Sequence, residues 1–257
     1  MKPMVRAQKL IASVIIALMT LCSSVVANAA TLTEVNSAPG GVVCLTVDDG
    51  YSRDAITKVL NLMRTKKVAC TFFVIGNRLT AYPDLWRQAI KDGHEICYHS
   101  MNHSSLSGWS DSKILEDLKS WNTTAKKVLG SNYSIPKLAR LPGGGGHENS
   151  RILKLFDSQG YKLIGWGVDT YTGAIKVGNP IAKYVLSRTR SGSIILTHFN
   201  TADANAMSQY IDALKKKFTL SKVSTVVFPQ FSPPPKSPPT QPSETPPPVI
   251  IWGDALR

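Results

Sequence analysis

Between residues 42 and 228, apolar strand-like runs alternate with amphipathic helical patterns, about seven times in all. This alternation constrains the fold more than any other feature of the chain. Strands that read as continuous apolar runs must be covered on both faces, and a parallel sheet with helices packed against it provides that cover. Strands are expected at residues 42–47, 69–75, 94–97, in a stretch ending at Arg140, at 163–168 and at 193–197. Helices are expected at 53–64 with Ser52 as N-cap, near 83–91, from Ser110 or Asp111 to 128, and at 150–158, 180–188 and 205–216. Residues 223–228 complete the series. The class is α/β, with a parallel sheet either open or closed into a barrel. In such sheets, chemistry collects at the C-terminal ends of the strands. Asp48, Asp49, Arg140, Asp169 and His198 all fall at such ends.

The 257 residues suit one α/β domain with flanking segments. Residues 1–29 read as a secretory signal peptide. Lys2, Arg6 and Lys9 precede a short apolar stretch, and Ala27-Asn28-Ala29 offers an A-x-A cleavage site. Residues 30–40 are a lead-in, and 41–228 form the α/β domain. Residues 229–257 are a tail dominated at first by Pro, Ser and Thr, a composition that favours extended polyproline II over a packed core. No segment after the leader suits a membrane span. The formal charge is +13, of which Lys2, Arg6 and Lys9 belong to the leader. In an exported chain this excludes nucleic acid as the natural partner and favours an anionic wall polymer or surface. Cys44, Cys70 and Cys97 are an odd number without metal-type spacing, and they read as small buried hydrophobes.

Two short segments carry the chemistry. Thr46-Val47-Asp48-Asp49-Gly50 ends an apolar strand with adjacent carboxylates, and His99-Ser100-Met101-Asn102-His103 places two imidazoles at i and i+4. A single helical turn would aim both imidazoles in one direction. One carboxylate and two imidazoles are the donor set of a catalytic zinc that keeps a position open for water. The second carboxylate beside them is a ready general base. His94 reads as a core histidine and His147 as one on a flexible loop. The glycine run 143–146 lacks the Lys-[Ser/Thr] of a phosphate-binding loop, so a nucleotide site is rejected.

From Gly41 to about Phe228 the chain resembles the NodB-homology polysaccharide deacetylases of carbohydrate esterase family 4. Thr46-Val47-Asp48-Asp49-Gly50 stands for that family's T-F-D-D-G, and His99 to His103 for its H-[ST]-x-x-H. Arg140-Leu141-Pro142-Gly143-Gly144 stands for R-x-P-x-G, and Leu196-Thr197-His198 for L-x-H. Residues 71–76 and 93–96 also resemble family segments. The resemblance implies an irregular, distorted β/α barrel of about seven parallel strands. It implies a divalent metal, zinc or alternatively cobalt, on Asp49, His99 and His103. Asp48 would be the base that takes a proton from the attacking water, with Arg140 holding it ionised. His198 would protonate the leaving amine. The Gly143 N–H would face the oxyanion, and Leu196 would line the acetyl pocket. Trp166 and Tyr171 are candidates to stack on a sugar.

One departure stands out. The family's D-x-x-D-W reads here Asp169-Thr170-Tyr171-Thr172-Gly173, so the second carboxylate and the tryptophan are replaced. Asp169 is then the candidate orienter of the acid His198, beside another group or water. The favoured activity is an exported, monomeric, wall-associated deacetylase acting on N-acetylglucosamine units of peptidoglycan or a chitin-like polymer. The alternatives are O-deacetylation of acetylxylan, and a weakened relative that only binds glycan.

Overall fold

The computed structural model describes residues 29–35, 41–176, 178 and 180–228. The leader through residue 28 and the Pro-rich tail from residue 229 lie outside the described residues. The central strand, β1 (Val42–Asp49), is buried along almost its whole length. Parallel partners extend the sheet from it: β2 (Thr71–Val74), β3 (Glu95–Tyr98), β4 (Leu138–Ala139) and β5 (Lys162–Leu163) on one side. On the other side lie β7 (Ile194–His198) and then β6 (Val168–Asp169), while β8 (Thr219–Leu220) pairs with the start of β1. The order is β5-β4-β3-β2-β1-β7-β6, a partly closed β/α barrel in one domain.

Helices α1 (Arg53–Lys66), α2 (Gly76–Ala81), α3 (Pro83–Lys91) and α4 (Asp111–Leu129) are followed by α5 (Ser150–Ser158) and α6 (Thr172–Lys176). The series ends with α7 (Ile181–Arg188), α8 (Thr201–Lys217) and α9 (Val223–Val227). Alternation along the strands sorts the core into two parts. On β1, Val43, Leu45 and Val47 face the helix layer in the larger cluster. Cys44 faces the interior with Phe73, Cys97, Leu138 and Ile194. Cys44, Cys70 and Cys97 are free and buried, in keeping with their reading as small hydrophobes.

Three expectations are corrected. The single strand at 163–168 is two short strands on opposite edges of the sheet, β5 and β6. Residues 164–167 cross between them, where Gly165 and Gly167 pass tightly against the lead-in. A Cβ on Gly165 would lie 3.1 Å from the methyls of Thr31 and Thr33, and one on Gly167 3.3 Å from the Thr33 carbonyl. The lead-in bridges the gap, Leu32 pairing with Ile164 and Glu34 with Ser193. Residues 223–228 do not continue the alternation as a strand. They hold helix α9, whose first N–H groups are capped by buried side chains: Val223 N donates to Thr71 Oγ1 at 2.8 Å and Ser224 N to Glu95 Oε1 at 3.1 Å. Apolar content alone does not separate a short buried helix from a strand. Finally, the stretch from His99 to His103 is not helical but a bend, with Ser100 at φ 57° and His103 at φ 61°.

Candidate active site

Strand parity sets up the site. Thr46 and Asp48 continue the interior face of β1, Arg140 that of β4, His99 that of β3, and Leu196 and His198 that of β7. Asp49 should then point to the helix layer, away from Asp48. Its φ of 84° breaks the alternation, and both carboxylates lie against one imidazole. His99 Nε2 is 3.4 Å from Asp49 Oδ1 and 3.8 Å from Asp48 Oδ2. Gly50 follows at φ 102°, with Trp86 filling the space a Cβ would need. Among the described residues, four non-glycines have positive φ: Asp49, Ser100 and His103 at the site, and Lys67 at a helix C-cap. Such backbone costs roughly 1–2 kcal/mol per residue and persists where surrounding packing enforces it.

The three donors converge. The Asp49 oxygen lies 3.3 Å from His103 Nε2, and one donor atom each from Asp49, His99 and His103 falls within 4.8 Å of the others. The His99 Nδ1–H donates to the Arg140 carbonyl at 2.9 Å, which leaves its Nε2 lone pair directed at the carboxylates. Asp49 Oδ1 is buried and makes no hydrogen bond. Burial alone would raise the Asp49 pKa, but the His99, His198 and His103 imidazoles outweigh it and hold the carboxyl below its ordinary value. Burial, then the neighbouring His99, lowers the His103 pKa and favours the neutral form that a ligand needs. An unsatisfied carboxylate oxygen facing two imidazole nitrogens fits a divalent cation.

Asp48 is fixed by Arg140. The guanidinium is fully buried, and its Nη1 donates to Asp48 Oδ1 and to Thr46 Oγ1, each at 2.7 Å. Its remaining bonds go to the crossing between β5 and β6: Nε to the Ile164 carbonyl at 3.1 Å and Nη2 to that of Gly165 at 2.8 Å. The break in the strand thus leaves carbonyls free to hold the cation. Phe73 stacks beneath it, 4.3 Å from ring centroid to Cζ, and Trp166 lies 5.7 Å away.

His198 closes the opposite side, in register with Asp48 across β1 and β7. Its Nδ1 lies 3.6 Å from Asp203 Oδ2, and Tyr171, largely exposed, meets its ring edge-on at 6.2 Å. The Asp169 carboxylate is engaged elsewhere. Tyr171 N and Thr172 N donate to Oδ1 at 2.9 and 3.2 Å, and the Thr172 hydroxyl donates to Oδ2. The Tyr184 hydroxyl takes the space beside Gly173, 2.4 Å from where a Cβ would stand, so a side chain there would need the tyrosine to move.

Leu196 is buried in register with Thr46 and Asp169. Gly143 sits at φ 58° in a single 3-10 turn (Pro142–Gly144). His147 is not a free loop residue: its Nε2 accepts the Leu141 N–H at 3.1 Å, and burial lowers its pKa to about 4. His94 is a core group whose Nδ1 accepts from Cys70 N at 3.0 Å. A cavity of about 720 Å³ adjoins the loop and is lined by Thr31, Thr33, Gly144, His147, Asn149 and Trp166.

Sequence reasoning missed Asp203 because it started the helix at residue 205. The signal was an N-cap asparagine three residues before a carboxylate: the Asn200 side chain accepts from Asp203 N at 2.8 Å, and Asp203 Oδ2 accepts from Asn200 Nδ2 at 2.8 Å.

A model of the family described as polysaccharide deacetylase matches residues 36–164. A peptidoglycan-N-acetylglucosamine deacetylase of Bacillus cereus is 34% identical over 68% of this chain and 79% of its own length. A chitooligosaccharide deacetylase of a Bradyrhizobium species is 30% identical over 61% of this chain and 69% of that protein. The solved structure of peptidoglycan deacetylase PdaC from Bacillus subtilis superposes with a TM-score of 0.63 at 28% identity, covering 73% of this chain and 90% of that one.

Proposed function

The chain belongs to the polysaccharide deacetylase family, and on that premise we propose that it is an exported, metal-dependent deacetylase removing N-acetyl groups from N-acetylglucosamine units of peptidoglycan. The observation that carries this reading is the pairing of two differently held carboxylates. Asp49, its oxygen without a hydrogen bond, faces two imidazoles, while Asp48 is locked to a buried Arg140. A site that only bound glycan would have no use for that second carboxylate.

Asp49, His99 and His103 would hold the metal, which when bound supplies Lewis acidity to a water and to the substrate carbonyl. Asp48 takes a proton from the water as its oxygen attacks the acetamide carbon. Arg140 holds the Asp48 carboxylate fixed in direction. The Gly143 N–H meets the developing oxyanion, and Leu196 bounds the space for the acetyl methyl. His198 then gives a proton to the nitrogen as the C–N bond breaks, leaving acetate and a free amine. Trp166 and Tyr171 flank the approach as surfaces for sugar rings, and the cavity beside Gly144 gives a polymer room to continue.

The relatives' names support peptidoglycan first and chitin-like oligomers second. The leader motif and the basic charge support action at an anionic wall, and no described helix is long and apolar enough to cross a membrane. The test is acetate release from peptidoglycan, chitooligosaccharides and acetylxylan with zinc or cobalt supplied. Release from peptidoglycan above the other two supports the reading. Release confined to acetylxylan would replace it with O-deacetylation.

A further inference from the structure

We propose that Asp203, in the first turn of α8, positions the His198 imidazole for proton delivery, an inference that rests on the deacetylase reading above. The side chain is 2% exposed, and its Oδ2 gathers three contacts around His198. It accepts the His198 backbone N–H at 3.0 Å and the Asn200 amide at 2.8 Å, and lies 3.6 Å from His198 Nδ1. Holding both the backbone and the ring of one residue fixes which nitrogen faces the carboxylate. Nδ1 is turned to Asp203, so Nε2 is left for the substrate. Asp169 is unsuited to this role, since the hydroxyl and N–H of Thr172 already occupy it. The carboxylate lost at position 172 is thus replaced from another element, by Asp203 on α8.

Charged and titratable groups around the imidazole come from several elements: Asp48 and Asp49 on β1, Asp203 on α8, Tyr171 before α6, and His103 across the site. Burial lowers the His198 pKa, but the nearby Asp203 carboxylate and the charges of Asp48 and Asp49 outweigh it and raise the pKa overall. The protonated ring transfers its Nε2 proton to the departing nitrogen and is left neutral, to be reprotonated from water. Asp203 acts as a positioning residue.

The experiment uses the full zinc-loaded chain with Asp203→Asn and Asp203→Glu. The amide keeps an oxygen for the two N–H donors and removes only the charge. In Asp203→Asn, kcat should fall roughly 100-fold or more with KM changed less than about twofold. The alkaline limb of kcat against pH should move down by about one unit. Asp203→Glu should keep the limb at its original place. An unchanged limb with unchanged kcat in Asp203→Asn would overturn the proposal and leave Asp203 as a helix cap only. If the wild-type chain releases no acetate, the deacetylase reading has failed, and an NMR titration of His198 decides about Asp203 alone. A lower midpoint in Asp203→Asn supports the contact, and an identical one overturns it. If Asp203→Asn does not fold, Asn200→Ala, which loosens the carboxylate, replaces it in the same titration with the same two outcomes.

Discussion

Arg140 Nη1 donates to Asp48 Oδ1 at 2.7 Å, joining two buried residues 92 positions apart. The same arginine offers its backbone carbonyl to His99 Nδ1 at 2.9 Å. One residue therefore fixes both the Asp48 carboxylate and the His99 imidazole. Removing one partner of a buried pair leaves an uncompensated charge, at a cost of about 3–5 kcal/mol. Arg140→Met is expected to lose that much stability in urea denaturation, whereas pairing it with Asp48→Asn should recover part of the loss. A loss below about 1 kcal/mol in the single variant would contradict the pairing.

Asp49 should matter less in the absence of metal. Its oxygen is buried, lacks a hydrogen bond and sits on strained backbone at φ 84°, but the surrounding imidazoles hold the carboxyl below its ordinary pKa, so the ionised form adds some stability at neutral pH. Asp49→Asn removes the charge and keeps a side chain that tolerates left-handed backbone, so the metal-free variant is expected to lose no more than about 1 kcal/mol. Zinc at a hundredfold excess over its Kd should stabilise the wild-type chain by about 2.7 kcal/mol. Thermal melts with and without chelator should show that gain in wild type and not in Asp49→Asn or His99→Ala.

Acid should weaken the metal-free fold through His94. Burial lowers its pKa from 6.5 to about 4, so the native ring stays neutral where the unfolded ring takes up a proton. Stability is therefore complete above pH 6.5 and declines as pH falls towards 4, by up to about 1.4 kcal/mol per unit. His94→Asn retains an acceptor for the Cys70 N–H and should flatten that decline when unfolding free energy is followed from pH 7 to 4. An unchanged slope would count against the assignment.

Gly50 carries two constraints at once. Its φ is 102°, and a Cβ would stand 2.7 Å from the fully buried Trp86. Gly50→Ala is expected to cost about 2–4 kcal/mol, with backbone strain and overpacking adding. Chemical denaturation checks this, and a cost below about 0.5 kcal/mol would mean that the turn rearranges freely.

Much of this arrangement was legible in the residues. The alternating apolar pattern forecast parallel strands, and the expected strand ends carry Asp48, Asp49, Arg140 and His198. What escaped depends on tertiary context. The turn from His99 to His103 reads as helix by spacing alone, yet neighbouring packing holds Ser100 and His103 in left-handed backbone. The apolar run 163–168 gives no hint that it crosses between sheet edges, because the lead-in that fills the gap lies 132 positions earlier along the chain, Leu32 meeting Ile164. Asp203 lay in a polar stretch whose capping signature was passed over for the more apolar start at residue 205. Asp169 was legible as a strand-end carboxylate, but not the claim that Thr172 makes on it.

The central claim is that Asp48 is the base of an amide hydrolysis. The most direct measurement is acetate released from peptidoglycan by the zinc-loaded chain and by Asp48→Asn, with bound zinc quantified in both. The account expects release by the wild-type chain and a loss of roughly 100-fold or more in the variant at unchanged zinc content. Release that persists in Asp48→Asn, or none from a folded and zinc-loaded wild-type chain, would contradict it.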